Sequence, residues 1–141
     1  MPSSGIRVRN APATVLFVDP DPDLLSAYQT NATNEGFAVA LARDGHEALG
    51  MASIILPSVI VLETRLPHSD GFDLIERLRA GVRTKAIPVV IVSGEAGAEF
   101  EARVTASGCR GYLTKPCAID GLLRVVRILA MSRAPEDARE W

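Results

Sequence analysis

Cysteine, histidine and aromatic side chains are all scarce in this sequence: two cysteines, two histidines and 5% Phe, Trp and Tyr among 141 residues. Neither cysteine belongs to a CxxC pair or stands near a metal-binding partner in the sequence, which argues against a zinc or iron–sulfur centre. Cys109 and Cys117 flank a predicted strand, whose extended path separates them by roughly 20 Å or more at ~3.3 Å per residue. A disulfide needs Cα atoms within about 7 Å, so two free thiols near the core are expected. An excess of basic residues is also missing. The net charge of −2 makes no electrostatic case for nucleic acid or an anionic membrane surface. Residues 1–10 lack the apolar stretch of a secretory signal, and no run reaches membrane-spanning length. A soluble cytoplasmic protein is expected, with no nucleic-acid or membrane partner.

What is present is aliphatic. Hydrophobic residues make up 48% of a chain with few aromatics, so the core should consist of Val, Leu, Ile and Ala, and the length suits one domain. Short apolar runs alternate with helical patterns five times. Residues 14–19 read as a buried strand, after which Asp21 is placed to cap a helix with Pro22 at its first position. That helix runs to about Glu35 and stops at Gly36. A second strand follows over 37–42, and Asp44 caps a helix to about Ile55. Residues 58–63 form a third strand without alternation, as expected when helices cover both faces. Asp70-Gly71 opens a helix to about Ala80. Strand four spans 87–93, helix four 96–106, strand five 111–114 and helix five 118–131. Residues 1–13 and 133–141 read as flanks of a single domain at 14–132, with Trp141 a terminal residue rather than a docking anchor.

Such βα alternation with short loops predicts an α/β fold with a doubly wound parallel sheet. Sites in these sheets form at the carboxyl ends of the strands, near the switch point. Asp19, Glu63, Ser93 and Lys115 each close or directly follow a predicted strand, so four separate loops deliver two acids, a hydroxyl and an amine to one edge.

The runs Val15-Leu16-Phe17-Val18-Asp19, Val59-Ile60-Val61-Leu62-Glu63, Val90-Ile91-Val92-Ser93-Gly94 and Gly111-Tyr112-Leu113-Thr114-Lys115-Pro116 resemble, in order and spacing, the response-regulator receiver domain of two-component signalling. The resemblance covers roughly residues 13–132. It implies a CheY-like, flavodoxin-type fold of five strands in the order 2-1-3-4-5 with five helices. By position it makes Glu63 the phospho-acceptor site, Asp19 and Pro20 the pair of metal-binding acids, and Ser93 and Lys115 the phosphoryl contacts. Arg65 supplies the metal-binding carbonyl, Tyr112 the aromatic that moves between exposed and buried rotamers, and Pro116 the residue after a cis peptide bond.

Two departures bear on chemistry. The acceptor aspartate is replaced by Glu63 and the second acid by Pro20. Mg²⁺ requires near-octahedral oxygen ligands, and Pro20 offers none; Asp19, Glu63 and Lys115 sum to about −1, where three acids and a lysine sum to −2. Asp21 is a substitute ligand only if it leaves its capping position. Mg²⁺ binding at Asp19 and Glu63 is therefore expected to be weak or lost, and no cofactor is expected. The extra methylene of Glu63 moves its carboxylate into phosphoryl space, and a displacement near 1 Å costs on the order of 10²-fold. The leading expectation is a pseudo-receiver, not an enzyme, that signals by protein–protein contact without phosphorylation. Its output runs through the face of helix 4, strand 5 and helix 5, with Arg103, Arg110, Tyr112, Arg124 and Arg127, toward a signalling partner or a second copy of the chain. Two alternatives stay open: a receiver still weakly phosphorylated by a histidine kinase, and a flavodoxin-like small-ligand module. Against the latter, Pro20 and Pro22 stand where a glycine-rich phosphate loop is needed. Whether Glu63 imposes an active-like state or leaves a static scaffold is likewise open.

Overall fold

The computed structural model describes residues 12–138. Most of the expected N-terminal flank, and Trp141, lie outside the described residues. Five parallel strands, β1 Thr14–Val18, β2 Ala38–Ala42, β3 Val59–Leu62, β4 Val89–Ser93 and β5 Gly111–Thr114, form one sheet in the order β2-β1-β3-β4-β5. Five helices connect or follow them: α1 Pro22–Asn34, α2 Gly45–Ile55, α3 Gly71–Ala80, α4 Ala98–Ser107 and α5 Ile119–Ala138. This is the expected doubly wound, CheY-like arrangement.

The unbroken apolar character of the strands has a direct cause. Leu16, Val18, Ile60, Leu62 and Ile91 face α2, α3 and α4. Their neighbours Val15, Phe17, Val61, Val90 and Val92 face α1 and α5. Successive strand side chains point to opposite faces, and here both faces are core. Each such side chain fully buried contributes about 1.5–3 kcal/mol. The largest ring contact on the α1 side is Phe17 stacked on Tyr28 at 4.7 Å. Burial pushes the Tyr28 phenol well above its ordinary pKa, so it stays neutral.

Local signals set most helix starts. The Asp21 carboxylate accepts from the N–H groups of Asp23 and Leu24, and Pro22 begins α1. Asp44 and Asp70 cap α2 and α3 in the same way. At the end of α1, Gly36 takes φ 94°, a left-handed turn open to glycine at little cost.

Besides strand ends shortened by one or two residues, such as β4 starting at Val89 rather than 87, three details differ from the sequence reading. Helix α4 begins at Ala98 rather than 96, because Gly97 adopts φ 110° and breaks the helical path, with no side-chain cap. Helix α5 continues beyond Met131 to Ala138. Between β3 and α3 a two-residue antiparallel ribbon pairs Arg65–Leu66 with Ser69–Asp70; a run so short carries no periodicity. The ribbon turns at His68, a non-glycine residue with φ 62°.

Candidate functional site

Strand register builds the site. Val18 pairs with both Ala42 and Leu62, so the next residues, Asp19 and Glu63, emerge at the same level. Their backbones continue the ladder: Asp19 N–H donates to Ala42 O at 3.1 Å and Glu63 N–H to Val18 O at 3.0 Å. Leu62 pairs with Ile91, which brings Thr64 opposite Ser93 two residues on. Ser93 pairs with Thr114, and Lys115 follows.

Lys115 ties the acids together. Its Nζ lies 2.8 Å from Asp19 Oδ2 and 2.8 Å from Glu63 Oε1. The free oxygen of Asp19, Oδ1, accepts from Asp21 N–H at 2.9 Å. Glu63 Oε2 accepts from Arg65 N–H at 3.0 Å. Both carboxylates are buried, at 2% and 7% exposure, so unpaired they would be costly. Burial pushes the Glu63 carboxyl up, but the Lys115 hydrogen bond, the Arg65 N–H and the Lys115 charge outweigh it and hold the group below its ordinary value. For Lys115, burial works against the charge, and hydrogen bonds to Asp19 and Glu63 overcome it and raise the ammonium pKa. Both groups are held charged at neutral pH.

A second set of contacts adjoins the first. Thr64 and Ser93, 3% and 0% exposed, place their hydroxyl oxygens 3.0 Å apart. Thr64 Oγ1 donates to Glu95 Oε1 at 2.8 Å, and Glu95 Oε2 lies 3.5 Å from Arg65 Nε. Glu95 N–H donates to Ser93 Oγ at 3.1 Å. Tyr112 is half-buried; its hydroxyl donates to Glu95 O at 3.3 Å and its ring meets Phe100 edge-on at 5.7 Å.

Asp19, Glu63, Ser93 and Lys115 thus meet at one edge, with Tyr112 beside them. Pro20 is exposed and precedes the Asp21 cap of α1. The Lys115–Pro116 peptide bond is cis. Thr64 and Glu95 were not singled out by the sequence. A threonine after a strand and a glutamate in a loop carry no local signal, and only the register across β3 and β4 reveals them. Gly71 explains how α3 reaches this edge: a Cβ there would stand 2.7 Å from Thr64 Cα and 2.9 Å from Glu63 O, while Gly71 N–H donates to Thr64 O at 2.8 Å.

The arginines on the last two helices diverge. The Arg103 guanidinium bonds Asp70 at 2.9 Å and lies 4.3 Å from the Phe72 ring centroid, on the α3 side of α4. Arg127 bonds Glu35 at 3.0 Å and covers Phe37 at 4.8 Å, on the α1 side of α5. Arg110 and Arg124 are exposed. Cys109 and Cys117 are free thiols, with burial pushing the Cys117 thiol up against the pull of Lys115.

An open parallel sheet whose strand ends present two acids, a hydroxyl and a bridging lysine is a doubly wound α/β fold with an ionic cluster at its carboxyl edge. Residues 15–127 match the response regulator receiver domain, and the chain belongs to that family. It is 32% identical to the DNA-binding dual master transcriptional regulator RpaA of Synechocystis over 127 residues, covering 89% of this chain and 53% of RpaA. Against response regulator MprA of Mycobacterium tuberculosis the identity is 30% over 126 residues, covering 89% of this chain and 54% of MprA. The chain spans about half the length of these two curated relatives. Among solved structures, the receiver domain of Francisella response regulator 1452 superposes with a TM-score of 0.79 at 32% identity, covering 86% of this chain and 98% of that one.

Receiver chemistry in this family implies Mg²⁺, and the residues present do not fit it. Mg²⁺ needs several oxygen ligands at ~2.0–2.1 Å. The strand ends offer two carboxylates, Asp19 and Glu63, both already bonded to Lys115, and Pro20 adds no oxygen ligand from its side chain. Asp21 is engaged at the α1 cap. Among the described residues, no group of three or more His, Cys, Asp or Glu is placed to hold a metal. Among them, too, no helix is long and apolar enough to cross a membrane.

Proposed function

We propose that residues 14–132 form a pseudo-receiver: a receiver-family module that passes a signal by protein–protein contact and does not accept a phosphoryl group. One observation carries this reading. The Glu63 carboxylate, at the acceptor position, is bonded through one oxygen to Lys115 and through the other to the Arg65 N–H. Phosphoryl transfer depends on in-line positioning and charge stabilisation. Here the lysine that would meet the incoming charge is shared between two carboxylates, and the acid pair that would hold Mg²⁺ is Asp19 and a proline.

On this reading the chain is a cytoplasmic interaction module rather than an enzyme, and it uses no cofactor. Its output surface is the α4–β5–α5 face, where Arg110 and Arg124 are exposed and Tyr112 is half-buried. Arg103 and Arg127 border it, each drawn toward a neighbouring helix. The partner is a signalling protein or a second copy of the chain; the slightly acidic balance of the domain favours neither nucleic acid nor an anionic membrane.

The test is incubation with acetyl phosphate and Mg²⁺, read by intact mass, alongside an amide NMR titration with beryllofluoride. An unchanged mass and a silent spectrum support the proposal. A one-phosphoryl mass increase mapping to Glu63, with shifts spreading to Tyr112, would sink it in favour of a receiver that is still phosphorylated.

A further inference from the structure

Loop 94–97 reads Gly-Glu-Ala-Gly, a composition that imposes little order by itself, and Gly97 sits at φ 110°. Yet Glu95 within it is held at three points. Its side chain is bonded by Thr64 and paired with Arg65, its N–H donates to Ser93 Oγ, and its carbonyl accepts from Tyr112. Two of these anchors, Thr64 and Ser93, are buried at the strand ends.

Proton counting fixes the direction of the bonds. A hydroxyl has one proton to donate and two lone pairs to accept with. The shortest contact of Thr64 Oγ1 to an obligate acceptor is Glu95 Oε1 at 2.8 Å; Glu63 Oε2 lies farther, at 3.3 Å. With the Thr64 proton on Glu95, the 3.0 Å contact between Thr64 and Ser93 is made by the Ser93 proton, for which the Glu63 carboxylate also competes, and Ser93 accepts from Glu95 N–H. Three residues from two strand ends and one loop then close a ring of hydrogen bonds, and each buried hydroxyl both donates and accepts.

We propose that Thr64 and Glu95 act as a latch that holds the β4–α4 loop against the strand ends and keeps Tyr112 turned in over Phe100. The latch rests on the phosphorylation-independent reading above: a hydroxyl belonging to the chain itself gathers Ser93 and the loop, so no added group is needed to do so. Thr64 and Glu95 are positioning residues. They act on Tyr112 through the Glu95 backbone carbonyl, which moves only if the loop moves.

The experiment compares the full chain with Thr64→Val, Thr64→Ser, Glu95→Ala and the Thr64→Val/Glu95→Ala double variant. The readouts are the nuclear Overhauser contact between the Tyr112 and Phe100 rings and amide hydrogen exchange across residues 94–97. Valine matches threonine in shape and removes only the hydroxyl, whereas serine keeps it. Thr64→Ser should retain the ring contact. Thr64→Val and Glu95→Ala should weaken it and speed loop exchange by about tenfold, the scale of one lost hydrogen bond, and the double variant should be no worse than either single one. If Thr64→Val and Glu95→Ala stay folded with the ring contact and loop protection of the parent, the latch is refuted. Should Thr64→Val fail to fold, Glu95→Ala decides alone, because Glu95 lies partly in solvent. The mass measurement with acetyl phosphate is separate. A chain that takes up phosphoryl yet frees Tyr112 in Thr64→Val overturns the functional reading and keeps the latch; the opposite pair of results does the reverse.

Discussion

Lys115 Nζ stands 2.8 Å from Glu63 Oε1 while holding Asp19 at the same distance, so one partly exposed ammonium pairs with two buried carboxylates from different strand ends and leaves the trio with a charge of about −1. Replacing it by methionine keeps the stem and removes the charge, leaving two acids in a pocket that water scarcely reaches. Lys115→Met should lower stability by on the order of 2 kcal/mol, below the ~3–5 kcal/mol of a fully buried pair because the lysine side chain keeps contact with solvent. Urea unfolding of the two proteins at neutral pH measures the difference.

The same pair sets a pH dependence with a definite sign. Glu63 titrates below its ordinary value of 4.5 in the folded chain, so its contribution is present above that value and is lost as pH falls through the depressed folded pKa. Lys115 titrates above its ordinary 10.5; its contribution is present below that value and is lost as pH rises through the raised folded pKa. Unfolding midpoints recorded from acid to alkaline pH should fall at both ends. Glu63→Gln should flatten the acid limb, and a limb left unchanged would mean that other carboxylates produce it.

Gly71 packs where a side chain has no room. A Cβ at that position meets the Thr64 Cα at 2.7 Å and the Glu63 carbonyl at 2.9 Å, and these are backbone atoms that cannot swing aside. Gly71→Ala should cost about 1–3 kcal/mol through overpacking, despite the better helix propensity of alanine. Its largest amide shifts should fall on Glu63, Thr64 and Arg65. A thermal melt and a two-dimensional amide spectrum check both points.

Restoring the missing acids should restore reactivity only in combination. On the proposed reading, Glu63→Asp shortens the carboxylate at the acceptor position by one methylene but leaves Pro20 and its missing metal ligand, while Pro20→Asp supplies a carboxylate beside the longer Glu63. Acetyl phosphate with Mg²⁺ should add one phosphoryl group to the Pro20→Asp/Glu63→Asp double variant, with little or none on either single variant. Intact mass spectrometry reads the result directly.

Much of this molecule was determined by local chemistry that the sequence carries on its face. Asp21, Asp44 and Asp70 cap helices because a short carboxylate accepts the unpaired N–H groups of the first turn. The unalternating run Val59-Ile60-Val61-Leu62 announced a strand covered on both sides. Because parallel strands with short βα loops expose all their carboxyl ends at one edge, Asp19, Glu63, Ser93 and Lys115 could be placed together from their positions in the chain. Tertiary structure alone decided what these groups do to one another. That one ammonium spans both acids, that Thr64 lies across from Ser93, and that Glu95 reaches back to both are consequences of strand register, which pairs residues far apart in the chain. The directions of Arg103 and Arg127 were settled the same way, by Asp70 with Phe72 and by Glu35 with Phe37 on neighbouring elements, since a long charged side chain takes its direction from whatever acid and ring the fold brings within reach.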